Sequence, residues 1–334
     1  MELSRDVNVA LAAVYPWIGS PGVLDGLAAS GARWIRVLNE SGIDFQASFC
    51  DRDNRATRLI GRNLAINGLS ANVIRSRFEE LPLDDHFNAV DIDPFGSPAS
   101  FAEHGLALTY PRGLLCMTAT DTQALCGSSP TTAARRYDAR VFMSPCYAEV
   151  GIRTLIGHTA RRAGTFDCTV EPVLCHAVDH HYRVYLRKVK GARRSDSALK
   201  ERMGWLRVGD MGEQTWVLRD RGERGDIGPL WIGPLTDPDV ARKAAAWAER
   251  NMEERKRTIK LIRTLAEEAG AAGYHNINEI SGILKRSPPP LETVLEGLRD
   301  MGHTASRTHF TPLGIKTDAP HRDLLDVISS RPCQ

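Results

Sequence analysis

The 334-residue chain has no C-x-x-C pair among its seven cysteines, no apolar run of 18 residues, and no decisive excess of either charge. The first absence argues against a zinc ribbon, and the odd cysteine count argues against a disulfide framework, so a reducing cytoplasm is the expected compartment. The second leaves no candidate membrane span. The opening, MELSRD, lacks the apolar stretch of a signal peptide. The third absence, a net charge of +2 from 43 basic and 41 acidic side chains, neither demands nor excludes a polyanionic partner. What remains is ordinary globular composition, 42% hydrophobic and 25% charged, over a length suited to two domains. No His, Cys and carboxylate cluster has metal-ligand spacing, so no metal is expected.

Residues 8–130 alternate short apolar runs with helix-like stretches. GVLD (22–25), FQASFCD (45–51), ANVIRS (71–76), FNAVDID (87–93) and RGLLCMTATD (112–121) read as strands. Strands separated by helices of 10–15 residues imply a parallel, doubly wound sheet. Ligands bind such sheets beyond the carboxyl ends of the strands, where Asp25, Asp51, Asp93 and Asp121 all fall. From about residue 191 the texture becomes charged and Gly-rich. A hairpin between Trp205 and Leu218, a long helix over 237–270, two packed helices around the prolines at 288–290, and a closing strand and loop suggest an α+β unit. The expected organisation is a Rossmann-like α/β domain over 1–190 and a smaller α+β domain over 191–334.

The first strand–turn–helix reads D-G-L-A-A-S-G from Asp25 to Gly31. Small residues here let backbone approach a ligand at a helix N-terminus, a geometry shared by dinucleotide and S-adenosylmethionine sites. Asp51, about 20 residues on, stands where an acid grips ribose hydroxyls or, more blandly, caps the next helix.

DIDPFGSP at 91–98 is more specific. A strand delivers Asp93 to the ligand edge, Pro94 follows with a carbonyl free to accept, and Phe95 offers a flat aromatic face. An exocyclic amine on a base is a poor nucleophile because its lone pair is delocalised into the ring. Acceptors on its N–H groups draw the nitrogen toward tetrahedral geometry, and an aromatic face holds the base. The bland alternative is a strand-end turn with Phe95 in the core.

With SRD (4–6), LDGLAASGARWIR, DIDPFGSP, TATDTQALCGSSP, EVGIRTLIG, DHHYRVYLRKVKGAR, GPLWIGPL and THFTPLGIKTDAP in order, the chain resembles the tRNA (guanine-26-N2)-dimethyltransferase family of archaeal type nearly end to end. The resemblance implies a class I methyltransferase domain, a separate C-terminal domain, S-adenosylmethionine as donor and tRNA as substrate. It carries cofactor contacts to Arg5, Arg33 and Asp51, and chemistry to Asp93, Pro94 and Phe95; Asp25, at the end of the first strand, is expected at the same cofactor edge. The family's acidic pair followed by Ala after strand three falls on R-S-R-F-E-E, so Arg77 and Phe78 occupy the adenine end, with Phe78 expected to flank the ring. Members of that family carry an aromatic F-Y-N-P segment ahead of the Arg5 motif, with a Met inside the motif at the place of Met1, so the functional chain is expected to begin upstream, or this form to methylate poorly while binding cofactor weakly through Arg5. A monomer is expected.

Cys126 reads better as a small packing residue than as a nucleophile, because Phe95 holds the place such a thiol would need. His180 and His181 are structural or RNA-facing. Of the basic clusters, the segment holding Arg307 and Lys316 mixes base, aromatic and Gly and is the best candidate for RNA contact. Two other readings compete: a nicotinamide dehydrogenase, which would not need D-P-F-G, and a non-catalytic tRNA-binding protein with a decayed cofactor pocket, which only the altered strand-three segment favours.

Overall fold

The computed structural model describes residues 2–330. Helix α1 (Glu2–Val14) precedes β1 (Gly22–Asp25), α2 (Ala32–Glu40), β2 (Gln46–Cys50), α3 (Asn54–Ile66), β3 (Asn72–Ile74) and β4 (Phe87–Ile92). Then come α4 (Ala102–Leu108), β5 (Thr109–Ala119), α5 (Thr122–Leu125), α6 (Pro130–Tyr137), α7 (Tyr147–Gly164), β6 (Cys168–Val178) and β7 (His181–Lys190). These strands form one seven-stranded sheet in the order β3-β2-β1-β4-β5-β7-β6. β1 to β5 are parallel, β7 runs antiparallel to β5, and β6 antiparallel to β7. The expected doubly wound α/β sheet is present, and its order reverses between β1 and β4, the switch point where such sheets bind ligands.

Both faces are covered, so the central strands carry near-continuous apolar runs. On one face Val90, Ile92, Leu115 and Met117 pack with Ile152, Leu155 and Ile156 of α7. On the other, Val7 and Leu11 of α1 and Trp34 and Val37 of α2 pack with Phe49 and Ile60.

The packing does not divide at residue 190. After α8 (Ala192–Glu201), the strands β8 (Met203–Val208), β9 (Gln214–Val217) and β10 (Ile227–Trp231) form an antiparallel sheet. Its Met203, Leu206 and Trp231 join the apolar cluster of α7. The expected hairpin is β8–β9. The expected long helix is two, α9 (Pro238–Asn251) and α10 (Lys256–Glu267), and their Val240, Ala244, Ile262 and Leu265 belong to the cluster of α1 and α2. The break has a polar cause: Arg255 turns away to bond Asp6 at 2.7 Å and Glu40 at 3.0 Å.

A separate core begins near residue 275. Strands β11 (His275–Asn276), β12 (Ala305–Arg307) and β13 (Gly314–Thr317) form a three-stranded sheet with α11 (Ile277–Ile283), α12 (Leu291–Asp300) and α13 (His321–Ser330). Ile280, Val294, Leu298, Ile315 and Leu324 fill it. Buried polar contacts tie this unit to the main sheet: Lys316 Nζ lies 3.1 Å from Glu149 of α7, and Ala177 N donates to His309 Nε2 at 3.2 Å. No helix among the described residues is long and apolar enough to cross a membrane.

Candidate active site

The cleft lies where the carboxyl ends of β1, β2 and β4 meet. The loop after β1 runs close to the sheet: a Cβ on Gly26 would lie 2.4 Å from the Phe78 ring, so only glycine fits there. Ala29 holds φ = 49°, an uncommon conformation for a residue with a Cβ, and Gly31 at φ = 71° turns the chain into α2. Asp51 fixes this loop. Its Oδ2 accepts from Ala29 N at 2.9 Å and its Oδ1 from Asp53 N at 2.8 Å. It is not the helix cap; Asp53 caps α3 by accepting from Arg55 N. Each Asp51 oxygen keeps a lone pair for a further donor.

Asp25, Asp91 and Asp93 converge on two guanidiniums. Arg33 Nη2 donates to Asp93 Oδ2 at 2.7 Å, and its Nη1 lies 3.2 Å from Ser4 Oγ. Arg183 makes a bidentate pair with Asp91, 2.8 Å to Oδ1 and 2.7 Å to Oδ2, and both side chains are fully buried. Trp34 Nε1 also donates to Asp91 Oδ2 at 2.9 Å. Burial raises Asp93, but the Arg33 and Arg183 charges outweigh it and hold the carboxyl below its usual value. Asp25 goes the other way: burial, then the Asp91 charge, push it well above the ordinary carboxylate value.

Beyond Asp93 the chain leaves the core. Pro94 is half-buried. The Phe95 side chain is fully exposed, at 103%, which excludes the core reading for it. The loop beneath is held firmly: Gly96 N donates to Thr120 Oγ1 at 2.7 Å, and Ser97 Oγ donates to the Tyr137 hydroxyl at 2.7 Å.

The structure brings Asp25, Arg33, Asp51, Asp93, Pro94 and Phe95 to one edge of the sheet. Arg33 is 5% exposed, with its guanidinium bonded to Asp93 and Ser4. Phe78 is 1% exposed and packs edge-on to Phe101 and His104, so it forms the wall behind Gly26 and not an open face for a ring. Arg77 beside it is exposed. Arg5, on α1 next to Ser4, makes no ion pair among the described residues. Met1, on which the expectation of an upstream start falls, lies outside them.

Sequence reasoning missed Asp91 and Arg183. Asp91 stands in the quoted DIDPFGSP motif, but its partner is 92 residues away. Lys316 is also corrected: it is 3% exposed and pairs with Glu149, so it cannot meet RNA. Arg307 is exposed but paired with Glu292. Cys126 is half-buried and bonds Ser128 within its own loop, 3.2 Å away. His180 sits exposed in the β6–β7 turn, and His181 is buried.

A β3-β2-β1-β4-β5-β7-β6 sheet with an acid-proline-aromatic-glycine loop at its switch edge defines a class I methyltransferase domain. The family model described as N2,N2-dimethylguanosine tRNA methyltransferase matches residues 1–329, and the chain belongs to that family. It is 35% identical to the tRNA (guanine(26)-N(2))-dimethyltransferase of Methanoregula boonei, covering 99% of this chain and 90% of that one. Identity to the enzyme of the same name from Methanococcus maripaludis strain C6 is 32%, over 98% and 90%. The solved structure of Trm1 from Pyrococcus horikoshii in complex with S-adenosyl-L-methionine superposes with a TM-score of 0.91 at 29% identity, covering 98% of this chain and 93% of that one.

Proposed function

We propose that the Asp93–Phe95 loop presents a tRNA guanine for methylation of its exocyclic N2 amine. The chain is an S-adenosylmethionine-dependent tRNA guanine-N2 methyltransferase by family. The observation that carries the site assignment is Phe95, wholly exposed two residues beyond an acid held ionised by Arg33. A fully exposed Phe costs solvation and contributes no packing, so its face is free to stack a base flipped out of an RNA stem.

The residues at the β1–β2 edge fit the cofactor. The small-residue loop permits close approach, Asp51 has acceptor capacity for ribose hydroxyls, and Arg5 offers an unpaired cation toward a carboxylate. Asp25, pushed toward its neutral form, would sit at the base of that cleft. The adenine end departs from the family's pattern, with Arg77 and Phe78 in place of the acidic pair, and Phe78 is sealed into the wall. When bound, S-adenosylmethionine supplies an electrophilic methyl group on a sulfonium, and no metal is needed.

Asp93 and the Pro94 carbonyl accept the N–H groups of the amine. That localises its lone pair for attack and leaves an acceptor for the proton released. Arg33 keeps Asp93 oriented and ionised, and Phe95 holds the ring. The separate unit beginning near residue 275 would serve as the accessory tRNA-binding module, and a cytoplasmic monomer is the setting proposed.

The test is nucleoside mass spectrometry of tRNA incubated with the chain and cofactor. Asp93→Ala should abolish N2-methylguanosine while leaving S-adenosylhomocysteine affinity nearly intact, and Asp93→Asn should retain a trace because an amide oxygen still accepts. Near-wild-type turnover by the alanine variant ends the assignment. Wild-type chain that binds tRNA but yields no methylguanosine would favour the non-catalytic reading.

A further inference from the structure

A cleft of about 440 Å³ lies beside the candidate active site, on the far side of the Asp93–Ser97 loop. Ser97 and Ser100 line it from that loop and the turn after it, Arg135 and Arg136 from the end of α6, and His158 and Arg162 from α7. Among the lining residues three guanidiniums face one carboxylate, Glu103, which pairs with Arg162 at 3.3 Å. Arg136 is held from beneath by Asp121 at 3.0 Å. Arg135 is exposed and has no ion-pair partner among the described residues.

His158 closes the floor. It is 4% exposed, and neither ring nitrogen finds a hydrogen-bond partner. The backbones of Tyr137 and Ala99 lie near it, but no contact closes a hydrogen bond of normal geometry. Burial, followed by the Arg161 and Arg162 charges, lowers it to about 4, so at neutral pH the ring is uncharged with one N–H to donate. Both ring nitrogens are shut off from the cleft, so His158 is an uncharged floor and the guanidiniums are the groups that face a ligand there.

We propose that this cleft binds the RNA phosphodiester adjoining the target guanine. The Arg135, Arg136 and Arg162 guanidiniums and the Ser100 hydroxyl are groups that hold phosphate oxygens, while the Ser97 hydroxyl is already donated to Tyr137. Position favours RNA backbone. Ser97 is two residues from Phe95, a span of at most about 7 Å, so a base stacked on Phe95 brings its flanking phosphate to this side of the loop. The cleft is also coupled to the loop: Ser97 Oγ donates to Tyr137, whose hydroxyl donates to Asp121 at 2.8 Å, and Asp121 holds Arg136. A phosphate gripped here would brace the loop that carries Asp93. The proposal rests on the RNA-methyltransferase reading above.

The experiment is tRNA binding and methylation by the full chain and by Arg135→Ala/Arg162→Ala, across a salt series. Both arginines are surface groups, so melting temperature and S-adenosylhomocysteine affinity should match wild type. Losing one phosphodiester contact should flatten the slope of log K against log salt by about one and raise KM for tRNA about tenfold, with kcat within about twofold of wild type. Arg135→Gln alone should give a smaller shift in the same direction. An unchanged slope and KM in the double variant overturns the proposal. Inorganic phosphate is compared with chloride at matched ionic strength. If the double variant loses a phosphate-specific inhibition of binding yet keeps the wild-type RNA slope, the cleft takes a free phosphate, and the RNA assignment is overturned. Wild-type chain that modifies no guanine sinks the functional reading itself, an outcome separable from any slope.

Discussion

Arg33 Nη2 stands 2.7 Å from Asp93 Oδ2, placing a buried, permanently charged guanidinium behind the acid proposed to accept the guanine amine. The family resemblance suggests a cofactor contact for this arginine, and its guanidinium is bonded to Asp93 and Ser4. Burial alone would raise Asp93, and the arginine charges more than reverse that. The carboxylate accepts most strongly, and can take up the released proton, only when ionised, so this pair sets how far activity survives into acid.

Arg33→Gln should therefore move the acidic limb of the kcat/KM profile to higher pH. Removing the cation leaves burial to oppose ionisation, so Asp93 protonates earlier as pH falls. The loss of activity should be larger at about pH 6 than at about pH 8. An acidic limb identical to wild type, with a uniform drop at all pH, would show that Arg33 does not act through Asp93.

The sheet and the acidic strand ends were legible because both are local: apolar runs bounded by small residues and turns give strands, and each ends in a visible Asp. Phe95 was legible as a candidate, but its exposure decides between stacking platform and core, and exposure is a tertiary property. The Asp91–Arg183 pair was invisible because its members are 92 residues apart and look like any surface acid and base. The break between α9 and α10 was hidden for the same reason, since Arg255 answers to Asp6, 249 residues away. Periodicity carried the helix through a position that a long-range ion pair interrupts.

Lys316 shows the largest inversion. A lysine amid threonines, a histidine and a phenylalanine reads as an RNA contact, but its Nζ lies 3.1 Å from both oxygens of Glu149, a carboxylate with no exposure. Lys316→Ala should leave the salt dependence of tRNA binding unchanged and destabilise the chain by about 3–5 kcal/mol, the usual effect of breaking a buried pair. Arg153 also pairs with Glu149 and softens that loss. A wild-type melting temperature with a reduced salt slope would restore the RNA-contact role.

Glu268 makes the small C-terminal unit acid-sensitive. It is buried and accepts from His309 N and from its Nδ1 at 2.6 Å, and from Thr308 Oγ1 at 2.9 Å. Burial opposes its ionisation, but the contacts with His309 and the nearby Lys316 charge dominate and hold it at about 2 against an ordinary 4.5. A depressed carboxyl contributes stability that is present above the unfolded value and is lost as pH falls from there through the folded value. The window is about pH 4.5 down to about 2. Glu268→Gln should lower stability at neutral pH and flatten the decline across that window. Parallel acid-denaturation curves for the two proteins would remove Glu268 from this role.

Phe95 separates function from folding most cleanly, because its side chain is fully exposed and its loop is pinned through Gly96 and Ser97. Phe95→Ala removes no buried area, so melting temperature should stay within about a degree of wild type, as surface substitutions usually do. Cofactor affinity should also hold, since the β1–β2 edge is untouched. What the variant loses is one face for the flipped guanine, worth roughly 1–3 kcal/mol in stacking, so kcat/KM for tRNA should fall about 5- to 150-fold. Phe95→Tyr or Phe95→Trp should recover most of that loss, because either ring presents a face where a Leu of similar hydrophobicity does not. Full activity in the alanine variant would mean that another group grips the base, and Phe95 would then be an exposed aromatic without a role in catalysis.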